Sequence, residues 1–173
     1  MFKPMSNKKI KINAGIGICA ILTLLVVPIY PVYSTDEGRI DYPLKYRNWH
    51  HTKTSLIDEK HPLFEVFGGI HHIYANEKAL RAIRSDSEYA DGSVFVFDLL
   101  VSVAINGGIS EGKRRRLDVM EKNGTKFAST GGWGFESFKG STEQRIDQNV
   151  IEKCYSCHES QVDKDYVFSD YRN

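Results

Sequence analysis

"SVFVFDLLVSVA", residues 93–104, is the strongest strand signal in the chain. Val and Phe dominate this stretch, and side chains that branch at Cβ or carry an aromatic ring favour a strand over a helix. Asp98 lies in its middle between apolar neighbours. Because an unpaired carboxylate is costly in such surroundings, Asp98 is expected to be exposed, paired with a cation, or a proton-handling catalytic group.

Upstream of this strand, the sequence predicts an extended run and then a helix. Residues 64–75, "FEVFGGIHHIYA", are interrupted by Gly68-Gly69, which is typical of a bulge or a close backbone approach. Asn76 is a good N-cap for the next segment, "EKALRAIRSD", and Asp91-Gly92 supplies a tight turn. This half of the domain is therefore expected to run from strand to helix to strand.

Downstream, the sequence predicts two more strands and a short helix. The segments "RRRLDVMEK" (114–122) and "TKFASTGGWGFESF" (125–138) flank Asn123-Gly124, a dipeptide that favours a hairpin turn. Residues 141–154 are expected to form a loop followed by one helical turn. This order of elements predicts an α+β fold that is mainly antiparallel β.

The N-terminus has the pattern of an export signal. "MFKPMSNKKIKI" carries four lysines and no acid, and an apolar run that closes on small residues follows it. The pattern predicts a signal peptide at residues 1–34 and an exported, for example periplasmic, domain at residues 35–173. A retained membrane anchor is the alternative, since residues 14–30 are 17 residues long, at the short edge of spanning length.

The charge balance argues against a nucleic-acid partner. Four of the 23 basic residues and none of the 22 acidic residues lie in residues 1–34, so the remaining domain has 19 basic and 22 acidic residues, a net charge of −3. The one basic run, Lys113-Arg114-Arg115-Arg116, is expected to be a solvated loop or strand end.

The sequence "CYSCH", residues 154–158, is a candidate attachment site for haem c. Two thiols at this spacing can bond the two vinyl groups of one haem, and the histidine that follows can bind the iron. A chance occurrence and a redox disulfide are the alternatives. The domain has only Cys154 and Cys157, too few for a four-cysteine zinc site. We therefore expect thioether bonds at Cys154 and Cys157 and iron ligation by His158.

The ligand on the other side of the iron decides the chemistry. Residues 159–173 contain neither Met nor His. Met120 lies in a predicted strand and is expected to be core, and the adjacent His71 and His72 would point to opposite faces of a strand. We expect surface or hydrogen-bonded roles for the histidines upstream of the motif, which are His50, His51, His61, His71 and His72. An open or water-filled sixth position is therefore favoured, and it would admit a small ligand such as NO.

Several blocks of the sequence resemble the cytochrome P-460 family and its relative cytochrome c′-beta. These blocks are "YPLKYRNWHHTKT", "HPLFEVFGGIHHIYAN", "YADGSVFVFDLL", "TGGWGFESF", and "CYSCH" followed by "DYVFSDY". The resemblance implies a curved β-sheet cup closed by a haem-bearing C-terminal tail, usually in a homodimer, with a five-coordinate haem c in an apolar pocket. It also implies binding of NO, or oxidation of hydroxylamine or NO with electrons passed to a redox partner protein.

The resemblance implies further site residues. The enzymes of the family carry a lysine that is cross-linked to the porphyrin, a few residues before an Asp-Gly turn. Here Arg84 and Ser85 occupy that stretch, and the nearest lysine is Lys78. This departure favours ligand binding without turnover over oxidation, while a plain electron-transfer cytochrome would need a sixth protein ligand. Arg47 is a candidate cation near the ligand or a propionate, and candidates for an apolar cap are Phe64, Phe67, Phe95, Phe97 and Phe135.

Overall fold

The computed structural model describes residues 38–146 and 149–172. The predicted signal peptide, residues 1–34, lies outside these ranges, so its cleavage stays a prediction. Among the helices of the described ranges, none combines the length and apolar character needed to cross a bilayer.

Five strands form one open sheet in the order β1 to β5, and every neighbouring pair is antiparallel. The prediction of a mainly antiparallel α+β fold is confirmed. The described residues contain three α-helices, where one or two were expected. The strands are β1 (His50–Ile57), β2 (Gly69–Ala75), β3 (Val94–Ile105), β4 (Gly108–Lys122) and β5 (Trp133–Lys139), and the helices are α1 (Phe64–Phe67), α2 (Glu77–Ser85) and α3 (Asn149–His158).

Alternation along β3 gives the sheet two different faces. Successive side chains of a strand point to opposite sides, so Phe95 and Phe97 lie on one face, which we call the inner face. Val96 and Asp98 lie on the other, which we call the outer face. Each face has its own apolar cluster. The inner cluster includes Phe95, Met120, Trp133 and Phe135, and the outer cluster includes Val96, Leu117, Val119 and Phe138.

The segment predicted to be extended from residue 64 begins with a helical turn instead. Phe64–Phe67 is α1, and its two phenylalanines are three residues apart, a spacing that places them on one side of a helix. The close approach predicted at the glycine pair is confirmed, because Gly69 has φ +127° and a Cβ there would collide with the carbonyl oxygen of Leu100. Only glycine fits at this position.

The tight hairpin turn lies at Asn106-Gly107 rather than at Asn123-Gly124. Asn106 and Gly107 have φ values of 50° and 78°, the left-handed pair that joins β3 to β4. Asn123 opens a longer connection instead, because its side-chain oxygen accepts a hydrogen bond from the backbone N–H of Lys126 at 2.9 Å. The last strand consequently begins at Trp133, and residues 125–132 are not part of it.

The arginine run lies inside β4 and is not a solvated loop or strand end. The pairing of β3 with β4 shifts at Arg115, since Leu99 pairs with Arg116 and Leu100 pairs with Arg114. Residues two apart in a regular strand share a face, but the bulge places Arg114 on the outer face and Arg116 on the inner face. Each of these arginines reaches a carboxylate on its own side, the buried Asp98 for Arg114 and the partly buried Asp118 for Arg116.

The predicted N-cap of α2 is confirmed and has a second role. The side-chain oxygen of Asn76 accepts hydrogen bonds from the backbone N–H groups of Ala79 at 3.0 Å and Val94 at 3.2 Å. Its amide nitrogen donates to the carbonyl of Gly92 at 2.9 Å. Asn76 therefore joins the start of α2 to the start of β3.

Replacement of Asn76 by alanine is expected to lower the free energy of unfolding by about 1–2 kcal/mol, because the helix loses its cap and the link to β3. Urea denaturation measures this change. Asn76→Asp is the matched control, since it keeps the two acceptor contacts and loses only the donor. A result in which alanine and aspartate destabilise equally would contradict the capping role.

Candidate haem site

The helix α3 carries Cys154, Cys157 and His158 and packs against the inner face of the sheet. After α3 the chain forms a 3-10 helix, Glu159–Lys164, and then returns along the inner cluster, where Val167 is buried. Asp165 fixes this return, because its carboxylate accepts from Lys122 Nζ at 2.5 Å and from the Trp133 indole N–H at 3.1 Å. The tail is thus held by the same sheet that supports the helix.

A cavity of about 450 Å³ lies between the inner face and the tail. All three residues of the predicted haem motif, Cys154, Cys157 and His158, line it. Both thiols are free, so the structure shows no bond between the two sulfurs. Most of the remaining wall is aromatic or aliphatic, and it includes Ile57, Leu63, Phe97 and Phe168. The arrangement suits a large flat apolar group with one nitrogen ligand.

The ring of His158 is oriented for ligation through Nε2. Its Nδ1 lies 2.7 Å from the carbonyl oxygen of Tyr166, so Nδ1 carries the proton and donates it, which leaves the lone pair on Nε2. The ring lies between those of Phe135 and Phe168, at centroid distances of 5.1 and 5.0 Å. Burial lowers the pKa of His158, and this effect is larger than the opposing effect of the Tyr166 hydrogen bond. The lowered pKa favours the neutral imidazole that a metal needs.

The two thiols have different surroundings. Cys154 packs against the inner cluster, whereas Cys157 is exposed. Burial raises the pKa of the Cys154 thiol to about 12, and the nearby negative charge of Asp118 adds to the effect. Cys154 is therefore not poised as a thiolate nucleophile or a redox thiol.

A carboxylate at the wall of the cavity, Asp118, was missed in the sequence. Asp118 lines the cavity and accepts a hydrogen bond from Ser137 Oγ at 2.5 Å, and Arg116 Nε lies 2.9 Å from its other oxygen. Burial raises the pKa of Asp118 despite the attraction of Arg116. Asp118 pairs with Phe97 across the strands, so the register of β3 and β4 was the signal that could have found it.

A family model described as cytochrome P460 matches residues 43–169, more than half of the chain. The chain belongs to the cytochrome P460 family. A comparison with curated proteins finds no match.

Membership of the cytochrome P460 family implies that the chain binds haem, and the described residues fit that group. The cavity is largely apolar, it presents two unpaired thiols, and its histidine has a fixed tautomer. Cys154, Cys157 and His158 are therefore the residues that would hold a haem in this cytochrome P460.

The two polar candidates of the sequence lie on the outer face and not in the haem cavity. Asp98 is fully buried there, and it accepts hydrogen bonds from Tyr46 Oη at 2.6 Å, from Arg114 Nε at 2.5 Å and from Arg47 Nη2 at 2.9 Å. Burial raises the pKa of Asp98, but these donors outweigh it and leave the pKa below its ordinary value. Of the three roles expected for Asp98, pairing with a cation is the one observed. A catalytic role for Asp98, and a contact of Arg47 with the ligand or a propionate, have no support from the positions of these residues outside the haem cavity.

Most of the phenylalanines that were candidates for an apolar cap lie at the haem cavity. Phe67, Phe95, Phe97 and Phe135 line the haem cavity, whereas Phe64 lines a separate surface cleft. Arg84 and Ser85 lie on α2, and Lys78 donates to the carbonyl of Asp91, so none of them lines the haem cavity. A different lysine, Lys53 of β1, does line it.

The candidate sixth ligands of this cytochrome P460 are engaged elsewhere. His71 faces the cavity and His72 the outer face, but the Nε2 of His71 bonds the carbonyl of Phe67. Met120 also reaches the cavity wall and is part of the inner cluster, as expected for a core methionine. His61 lies at the exposed rim, where its Nδ1 accepts from the backbone N–H of Leu63.

Proposed function

We propose that this chain is an exported mono-haem c protein that binds a small uncharged nitrogen ligand such as NO at an open iron position. Thioether bonds from Cys154 and Cys157 attach the haem, and His158 is the proximal ligand. The observation that carries the proposal is the cavity itself, which places the complete motif beside an apolar wall.

The open position is supported by what the cavity offers in its described part. His71 is held through Nε2 by a backbone carbonyl, and Met120 is packed in the inner cluster. Either could bind iron only by giving up these contacts, which costs free energy. Most of the wall around them is apolar, which favours an uncharged ligand over an ionic one.

Each residue has a simple physical task in this proposal. A haem bound here supplies an iron that can take one small ligand and exchange an electron. His158 donates its Nε2 lone pair, and the Tyr166 carbonyl holds the tautomer that makes this possible. Phe135 and Phe168 fix the plane of the imidazole.

The absorption spectrum of the purified ferrous protein tests the proposal. We expect a high-spin haem c spectrum that changes on addition of NO. A low-spin, six-coordinate spectrum before any ligand is added would contradict the proposal. It would indicate instead an electron-transfer cytochrome whose iron has two protein ligands.

A second candidate function, oxidation of hydroxylamine or NO, is favoured by the polar groups of the cavity. Asp118 supplies a carboxylate at the cavity wall whose pKa is raised by burial, and a carboxylate can act as a proton acceptor. Lys53 supplies an amine at the same cavity, where the related enzymes have a lysine bonded to the porphyrin. The mass of the haem-loaded protein tests whether Lys53 is bonded to the porphyrin, since such a bond removes hydrogen from the expected mass. The same bond would shift the absorption spectrum to the red.

Replacement of Asp118 by asparagine is expected to reduce hydroxylamine oxidation at least tenfold while NO affinity changes less than twofold. The amide cannot accept the proton, but it keeps the shape of the cavity and a partner for Ser137. Steady-state oxidation with an artificial electron acceptor and NO titration measure the two effects. Equal losses in both assays would point to a structural role for Asp118, and unchanged oxidation would exclude it as the base.

The setting of the protein follows from the same proposal. Haem c attachment takes place outside the cytoplasm, which agrees with the signal peptide expected at residues 1–34. Oxidation would require a redox partner protein that accepts the electrons. The resemblance further suggests a homodimer, and membrane contact only through an uncleaved N-terminus.

A further inference from the structure

Two histidines on the outer face point at one oxygen atom. The hydroxyl oxygen of Thr54, on β1, lies 3.0 Å from His51 Nε2 and 2.9 Å from His72 Nδ1. The centroids of the two imidazole rings are 5.5 Å apart. His51 and His72 come from neighbouring strands, so the paired backbone of β1 and β2 holds the two nitrogens in place.

A carboxylate supports the second histidine from behind. Glu111 Oε1 lies 2.6 Å from His72 Nε2, so this nitrogen carries a proton and donates it. In the neutral ring the lone pair is therefore on Nδ1, the atom that faces Thr54. Histidines that bind metals commonly donate their other nitrogen to a carboxylate in this way, because the contact fixes the tautomer and strengthens the ligand.

The hydrogen bonds of Thr54 identify the two ring nitrogens that face this point. A threonine hydroxyl has one proton, so Thr54 donates to His72 Nδ1 and accepts from His51 Nε2. A change of tautomer in His51 moves its proton to Nδ1 and exposes the Nε2 lone pair toward the same point.

Two acids of the outer face have different partners, and Glu111 is paired with His72. Asp98, the buried carboxylate of this face, is already bonded by Arg47 and Arg114. In the described part of the chain, no three His, Cys, Asp or Glu side chains converge closely enough to hold an ion by themselves. Any ion at this point would therefore have two protein nitrogens and keep water or the Thr54 hydroxyl in its other positions.

We infer that His51 Nε2 and His72 Nδ1 form a binding site for a divalent transition-metal ion on the outer face, with Glu111 as its supporting carboxylate. Imidazole ligands suit copper and zinc, and copper binds such nitrogen sites more tightly than zinc. The site is separate from the haem cavity and does not depend on the proposed function. A bound ion would join β1 to β2 and, through Glu111, to the beginning of β4.

Calorimetric titration of the haem-loaded protein with zinc chloride tests the inference. We expect one zinc ion per chain, and a loss of at least tenfold in affinity in His51→Ala and in His72→Ala. Glu111→Gln is expected to weaken binding by about tenfold, the size of effect that loss of a supporting carboxylate has on metal affinity. The haem absorption spectrum of each variant shows that it is folded.

His50→Ala is the matched control, because His50 precedes His51 on the same strand and its side chain points to the opposite side. It should keep the affinity of the unmodified protein. With copper in place of zinc, electron paramagnetic resonance should show hyperfine coupling to two imidazole nitrogens, and to one in either histidine variant. Absence of zinc binding, or equal weakening in His50→Ala and His51→Ala, would overturn the inference.

Discussion

Replacement of Cys154 and Cys157 together by serine is expected to abolish the haem that stays with the polypeptide on a denaturing gel. Serine cannot form a thioether, and haem held by His158 alone is released when the cavity unfolds. Each single variant should retain haem through the remaining thioether. Peroxidase staining of the gel, together with the mass of the purified chain, measures the attachment.

Ser156→Ala is the control for this experiment, because Ser156 lies between the two cysteines and its exposed hydroxyl bonds only the carbonyl of Lys153. It should stain like the unmodified protein. Haem that survives denaturation in the double variant would show that attachment does not use these thiols. A colourless unmodified protein with the two sulfurs joined to each other would remove the basis of the proposed function.

Replacement of Asp98 by alanine is expected to lower the free energy of unfolding by about 3–5 kcal/mol, the range observed when one partner of a buried ion pair is removed. Arg114 and Tyr46 would lose the carboxylate that both of them contact on the outer face. The arginine would then be left as an uncompensated charge, since its side chain is only 13% exposed. Chemical denaturation of the haem-loaded protein measures the loss.

Asp170→Ala is the matched comparison, because its ion pair with Lys164 is mostly exposed and such pairs contribute less than about 1 kcal/mol. The difference between the two variants should also depend on pH. The pKa of Asp98 is lowered in the folded state, so its contribution is present above its unfolded value and is lost as the pH falls through the folded value. If Asp98→Ala and Asp170→Ala lowered the free energy of unfolding by the same amount, the stabilising role of the buried Asp98 ion pair would be refuted.

Strand composition was sufficient to predict the fold class, and the haem motif predicts the attachment residues from the sequence alone. A strand rich in Val and Phe has few alternatives at that length, and a Cys-x-x-Cys-His motif is readable without coordinates. The N-cap at Asn76 was also local information, since the backbone N–H group that it caps belongs to Ala79 in the first turn of the helix.

The choice of carboxylate could not be predicted in the same way. Asp98 and Asp118 are both in strands with apolar neighbours, and composition does not say which face of a sheet the tail will cover. The structure places the tail on the side of Phe97, which selects Asp118 by register and leaves Asp98 with the arginines. The hairpin turn was misplaced for a related reason, because two Asn-Gly pairs compete and only tertiary packing decides between them.

The bulge at Arg115 gives three consecutive, chemically identical side chains three separate destinations. Arg114 serves the outer carboxylate and Arg116 the inner one, while Arg115 donates to the carbonyls of Gly68 and Glu65 at the end of α1. An alignment of related sequences that slides by one position here would assign a different basic residue to each of the two acids, Asp98 and Asp118, without any visible change in composition. Conservation of basic character in this run is thus a weaker statement than conservation of its spacing.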